Sequence, residues 1–272
     1  MNLENYFIKQ FQNKYIGDDG AIIANTVYSK DAFFENVHFK RKWMSFYQIA
    51  AKAMMVNISD AIAMNAKPRY ALLSVAMPKS ITKKQMDELA LGFKDTANKF
   101  GIEIIGGDTI SNTKLDITIT IISDVKKPLL RKGLKAGHLL AFTGELGQSA
   151  KELKKLMNLG HIHKKSKFVN INLRDKFISS TTKILSSGMD ISDGLLSDLD
   201  KLASINKIGF KFYSKMSQSS TCSGEEYEML ISFDRRQKKA ILRRAKQTRT
   251  PITIFASTCR AKYINKCKAH HF

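Results

Sequence analysis

Apolar residues recur at helical spacing between Phe46 and Met64, at Phe46, Ile49, Ala50, Ala53, Met54, Val56, Ala61 and Met64, and the pattern stops before Pro68. A helix is predicted there, with Asn57 and Asp60, three residues apart, on one face near its C-terminal end. Arg69 to Met77 follows as an apolar run that predicts a buried strand stopped by Pro78. Thr82 to Lys99 predicts a second, amphipathic helix, with Ser80 or Thr82 as its cap and Gly101 as its end. Shorter runs predict strands at Ala21 to Ser29, Ile102 to Ile105 and Leu115 to Ile122. On this reading Asp31 follows the first of those strands, and Asp108 falls in a tight connection between the other two.

The run Lys126 to Pro128 is the best boundary in the chain. It divides an N-terminal unit, 1–127, from a C-terminal unit, 128–272. The second unit predicts strands at His138 to Thr143, Gly209 to Tyr213, Glu228 to Phe233 and Ile252 to Ala256. Helices are expected at Ser149 to Met157, near Asp175 to Leu185, from the Asp190–Gly194 segment through Leu202, and once more between the last two strands. Strands and helices mixed in this order make the expected fold class α/β with mixed sheets.

Composition narrows the function classes. At 272 residues the chain is long enough for two domains, and 43% hydrophobic with 25% charged residues is ordinary for a globular protein. A formal net charge of +21 and a pI near 9.8 invite a nucleic-acid reading. The basic residues are, however, dispersed along the chain, in short clusters such as Lys164, Lys165 and Lys167 or Arg235, Arg236, Lys238 and Lys239. With no zinc-finger spacing, aromatic RNA-binding signature or basic zipper, this reads as a dispersed basic surface, and nucleic acid is not the expected partner. Cys222, Cys259 and Cys267 are too few and irregular for a disulfide framework or zinc site, so reduced thiols are expected. No apolar stretch approaches the ~18 residues that span a bilayer, and the start, MNLENYF, does not read as a signal peptide. The expectation is a cytoplasmic protein without a membrane partner.

The candidate chemistry lies in acids set among small residues: GDDG at Gly17 to Gly20, NISD ending at Asp60, GGDT around Asp108, and DISDG at Asp190 to Gly194, with Asp31 nearby. Each has a plain alternative. Asp18 and Asp19 suit a turn, Asp60 a polar helix position, and Asp193 a carboxylate opposing a helix dipole. Together, beside apolar runs that carry them to element ends, they would repel one another unless a cation sat between them. Hard divalent ions with oxygen ligands fit, Mg²⁺ above all where phosphate is also bound.

The series GDDG, then Ser29 and Asp31 followed by VHF at Val37 to Phe39, then VNISDAIAMNAKP at Val56 to Pro68, then GGDT, DISDGL and GEEYE resembles the thiamine-monophosphate kinase family over roughly residues 15 to 233. The resemblance implies the two-domain fold of the aminoimidazole ribonucleotide synthetase-like superfamily, with an N-terminal domain that dimerises and a nucleotide site in the cleft between domains. It implies that ATP donates its γ-phosphoryl group to thiamine monophosphate, giving thiamine diphosphate, with several Mg²⁺ ions. Position by position it implies metal ligands at Asp19, Ser29, Asp31, Asp60, Asp108, Asp190 and Asp193. Nucleotide contacts are implied at Gly107, Asp108, Arg131 and Ser192, and substrate contacts at His38 and Glu225. Asp18 is expected to shape its turn. No general base is implied, since a phosphate monoester, with a second pKa of about 6, is already largely dianionic at neutral pH.

Departures from the family pattern are Lys30 where threonine is usual, Glu226 where aspartate is usual, a compressed stretch between Leu202 and Gly224, and a divergent tail without a clear aromatic to close on the thiamine ring. Two other readings stay open: another ATP-dependent synthetase of the same superfamily and, from a different class, a basic nucleic-acid-binding protein.

Overall fold

The computed structural model describes residues 3–11 and 13–267. A short helix α1 (Leu3–Lys9) precedes a hairpin of β1 (Ala21–Ile23) and β2 (Thr26–Phe34). Then come α2 (Phe46–Ala63), β3 (Lys67–Pro78), α3 (Lys83–Phe100), β4 (Glu103–Asn112) and β5 (Asp116–Asp124). These five strands form one sheet in the order β1-β2-β5-β3-β4, antiparallel except for the parallel β3–β4 pair. The second sheet, β7-β9-β6-β10-β8, is built from β6 (Leu139–Thr143), β7 (Ser187–Asp190), β8 (Gly209–Phe212), β9 (Met229–Phe233) and β10 (Ile252–Cys259). Its helices are α4 (Gln148–Met157), α5 (Asp175–Thr181), α6 (Leu195–Asn206), the single turn α7 (Gln218–Thr221) and α8 (Lys238–Gln247).

Helix α2 positions the site, and its sequence explains why it is so well defined. Ser45 and Gln48 form a reciprocal capping box, which satisfies two of the N–H groups that a helix start leaves open. Its residues are buried on nearly every face because it lies against β2, β3 and β5 on one side and reaches β7 and α5 on the other. One continuous core therefore runs from Phe33, Ile49 and Ile119 through α2 to Phe177 and Ile231. A rigid, buried helix that touches both sheets can fix polar groups from each relative to the other.

Four local expectations change. The strand expected at Ala21 to Ser29 is broken at Ala24, whose φ of 53° turns the chain so that Ile23 faces Thr26; β2 then runs on to Phe34 and places Asp31 inside the strand. Asp108 lies not in a connection but within β4, because parallel pairing with β3 continues through both glycines to Asn112. β7 escapes the hydrophobic pattern because Ser187–Asp190 is short and contains Gly188; pairing with β9 makes it a strand. The thiols of Cys222 and Cys267 are not reduced: they form a disulfide with Cα atoms 5.6 Å apart, since the tail folds back beside α7, a proximity that a separation of 45 residues does not reveal. Cys259 is free. Among the described residues no helix is long and apolar enough to cross a membrane.

Candidate active site

Alternation along β2 separates the side chains that enter the site from those that leave it. Ser29 and Asp31 face α2, whereas Lys30 points to the exposed face and donates to the Thr118 hydroxyl at 3.1 Å. The ammonium that departs from the family pattern is thus turned away from the acids. Asn57, fully buried on α2, locks the strand to the helix: its Oδ1 accepts the Asp31 N–H at 2.7 Å while its Nδ2 donates to the Ala53 carbonyl at 2.9 Å. Ser29 adds a longer bond, 3.4 Å, to the Asn57 carbonyl.

Three elements deliver one carboxylate each to a common point. Asp19 comes from the loop before β1, Asp60 from α2 and Asp190 from the end of β7, and oxygens of all three lie within 4.8 Å of one another. Ser59 donates to Asp190 at 2.7 Å, tying α2 to the second sheet. Arg131, in the segment between β5 and β6, places its guanidinium on Asp19, while its backbone N–H donates to Asp18 at 2.6 Å. Asp18 therefore shapes the Arg131 segment, and Asp19 takes the charge. Among the described residues, neither the Asp31 nor the Asp60 carboxylate takes a hydrogen bond.

Crowding and burial show in the titration of these groups. Burial pushes the Asp19 carboxyl up to about 7, against the pull of Arg131 and with the repulsion of Asp190. Burial and the neighbouring carboxylates raise Asp31 to about 6 and Asp60 well above its ordinary range. Asp190 and Asp198 are each raised to about 6, chiefly by burial, although Ser59 relieves the first and Lys201 the second. In the unfolded chain these groups titrate near 3.8, so between about pH 4 and pH 7 the folded protein holds protons that the unfolded chain has released. Metal-free protein should therefore lose stability as pH rises through that window, with a melting temperature lower by about 5 °C at pH 8 than at pH 5.5. Millimolar Mg²⁺ should raise it more at pH 8 than at pH 5.5; melting curves in chelator and in Mg²⁺ at both values check this, and a higher metal-free value at pH 8 would contradict it.

The remaining candidates surround this cluster to differing degrees. Asp193 meets Lys201 of α6 at 2.6 Å, and the same ammonium reaches fully buried Asp198 at 2.8 Å, which holds Lys201 firmly protonated. The Ser192 carbonyl accepts the Glu225 N–H at 2.7 Å. Glu225 pairs with Lys52 of α2 at 2.7 Å, and Glu226 is seated among the N–H groups of Gly147 and Ser149, the Ser223 hydroxyl and Lys167. His38 closes the turn after β2, its Nδ1 accepting from the Phe34 N–H at 3.0 Å and its ring stacked on Phe33. Gly107 and Asp108 stand apart on the exposed edge strand β4. Asp31, Ile119, Leu73 and Gly107 are paired across the sheet, so β4 lies three strand spacings, about 14 Å, from β2.

Sequence reasoning missed Lys52, Ser59, Asp198 and Lys201, and gave Asn57, which it set on one face with Asp60, no role. Asn57 and Ser59 stood within the NISD string, and Lys201 follows Asp198 by three on the predicted helix, a legible ion-pair spacing. Lys52 offered no signal beyond a charge within an apolar run.

Comparison with known proteins places this geometry in context. The sequence profile described as AIR synthase related protein, N-terminal domain, matches residues 17–125. The thiamine-monophosphate kinase of Bacillus subtilis is 31% identical over 74% of this chain and 67% of its own length. That of Buchnera aphidicola from Schizaphis graminum is 32% identical over 85% of this chain and 80% of its own length. Among solved structures, AaThiL complexed with AMPPCP and TMP superposes with a TM-score of 0.85 at 22% identity, covering 99% of this chain and 96% of that one. Hydrogenase maturation protein HypE in complex with ATP shares the fold at a TM-score of 0.73 and 14% identity, covering 93% of this chain and 83% of that one. These two likenesses show the fold, and function has to be argued from the site.

Proposed function

The chain belongs to the thiamine-monophosphate kinase family, and from that premise we propose that it transfers the γ-phosphoryl group of ATP directly to thiamine monophosphate, giving thiamine diphosphate. The observation that carries the reading is the convergence of Asp19, Asp60 and Asp190 from three separate elements on one point. Oxygen-only donors, two of them on elements fixed by α2, suit a hard divalent cation, which would offset the burial and mutual repulsion that raise their titration. Asp19, Asp60 and Asp190 would hold Mg²⁺, with Asp31, Ser29 and Asp193 beside them. Bound there, the ion supplies charge neutralisation for the phosphoryl group in transfer.

The chain's own groups do the rest. Arg131 offers a forked cation for phosphate oxygens beside Asp19, and Lys201 adds a second cation at Asp193. Ser192 lies in the loop that leads from β7 into α6, where a hydroxyl can approach a phosphate. Glu225 offers a carboxylate to the cationic thiazolium, with His38 at the end of β2 as a further substrate contact. No side chain need remove a proton, because the acceptor phosphate is already ionised; catalysis is alignment of two polyanions plus neutralisation of their repulsion.

Gly107 and Asp108 enter the reading through assembly. The face of the first sheet turned away from α2 exposes Tyr28, Tyr70 and Leu72, and β4 exposes Ile105 and Ile110. An apolar face of this kind favours a homodimer of N-terminal units, 1–127, with the 128–272 units outside it. We place the protein in the cytoplasm, where ATP and Mg²⁺ are at hand.

Incubation with Mg-ATP and thiamine monophosphate, followed by separation of products, tests the proposal: thiamine diphosphate and ADP should appear in equal amounts. ADP without thiamine diphosphate, or no turnover, would overturn it.

A further inference from the structure

Helix α2 makes a second buried polar link to the C-terminal half, and it is an unusual one. The Lys52 side chain is 1% exposed, its ammonium 2.7 Å from Glu225 Oε2 and 3.9 Å from the centroid of the Phe168 ring, with Phe33 on another side at 5.5 Å. A buried ammonium is costly unless its charge is met, and here one carboxylate and two ring faces meet it. The carboxylate stands on a backbone that is itself pinned. Glu225 has a φ of 53°, its N–H donates to Ser192 at 2.7 Å, and its carbonyl accepts from Ser149 at 2.9 Å. With the main chain held, Lys52 is what fixes the side chain, and Oε1 takes no hydrogen bond among the described residues.

Seven residues further along the same helix, Ser59 grips Asp190 at 2.7 Å. Positions 52 and 59 share a face two turns apart, a rise of about 10.5 Å. One rigid helix therefore holds the C-terminal half at two points: the carboxylate cluster and Glu225.

We propose that Lys52 is a positioning residue that holds the Glu225 carboxylate at a set distance from the Asp19–Asp60–Asp190 cluster, and so selects a phosphate monoester whose cationic ring lies at the matching span. The inference rests on the assignment of Glu225 and the cluster to the two ends of the substrate. A bare ammonium would repel such a ring, so positioning and screening make opposite predictions. If Lys52 only dilutes the charge of Glu225, its removal tightens substrate; if it positions Glu225, its removal loosens substrate.

The test uses the full chain with ATP, Mg²⁺ and thiamine monophosphate. Lys52→Met should raise the KM for thiamine monophosphate about tenfold while leaving that for ATP within about twofold. Lys52→Arg, which can still reach Glu225, should recover most of the loss, and Lys52→Met should add little in a Glu225→Gln background. Should Lys52→Met not fold, Phe168→Leu, which removes the ring that seats the ammonium, should raise the same KM about threefold. An unchanged or lowered KM for thiamine monophosphate, equal rises for both substrates, or additive effects with Glu225→Gln would overturn the inference while leaving the activity in place. Absence of turnover in the wild-type protein would instead remove the functional reading itself.

Discussion

Replacing Asp60 by asparagine should leave the protein folded and lower turnover by about a thousandfold, roughly 4 kcal/mol of transition-state stabilisation. Asparagine keeps the shape and one acceptor oxygen but removes the charge. Asp60 takes no hydrogen bond from the described residues, so no structural bond is broken. Its carboxylate is buried and repelled by Asp31, Asp190 and Asp19, and the neutral side chain relieves that repulsion. Metal-free Asp60→Asn should therefore melt at or above the wild-type temperature and lose most of the rise that Mg²⁺ gives the wild type. Asp18→Asn is the control: Asp18 accepts the Arg131 N–H, a role that an amide oxygen can fill, so turnover should fall by less than about tenfold. Steady-state rates and melting curves for the two variants decide the matter. Near-wild-type turnover in Asp60→Asn would mean that the acids meet for a reason other than phosphoryl transfer.

How much of this was legible in the sequence depends on what each residue's signal was made of. Helix α2 was plain because its apolar spacing persists over five turns, and α3 because Thr82 and Gly101 mark its ends. The meeting of Asp19, Asp60 and Asp190 could be expected from clustered acids, but not from local pattern: it depends on β7, a four-residue strand that only pairing with β9 creates. Asp31 was displaced in the reading because the turn at Ala24 has no glycine or proline to mark it. The pairing of Lys52 with Glu225 spans 173 positions and had no local trace at all. The same holds for Cys222 and Cys267, whose disulfide depends on the path of the tail. Short-range chemistry was readable, and so was the gathering of the acids; the partners that seat them across the two halves, such as Lys52 on Glu225 and Ser59 on Asp190, were not.

Gly107 shows the difference most sharply, because its resemblance to a nucleotide contact and its structural setting predict different failures. A Cβ at this position would stand 1.6 Å from the Leu73 carbonyl oxygen and 2.5 Å from its carbon, backbone atoms of a strand paired on both sides. The φ of 148° adds a conformation that side chains rarely adopt. Gly107→Ala must therefore push β4 away from β3 or break their pairing, at a cost on the order of 4 kcal/mol, enough to lower the melting temperature by about 10 °C. Gly106→Ala is the matched comparison. Its φ of 152° is equally unusual, yet the nearest obstacle is the Leu72 side chain at 3.7 Å, so only backbone strain of about 1–2 kcal/mol is expected. Both variants are to be melted without nucleotide or metal, where a residue that serves ATP alone changes nothing. A Gly107→Ala protein that melts with the wild type under those conditions, and differs only in its KM for ATP, would show that the close approach of β4 to β3 is not what demands glycine there.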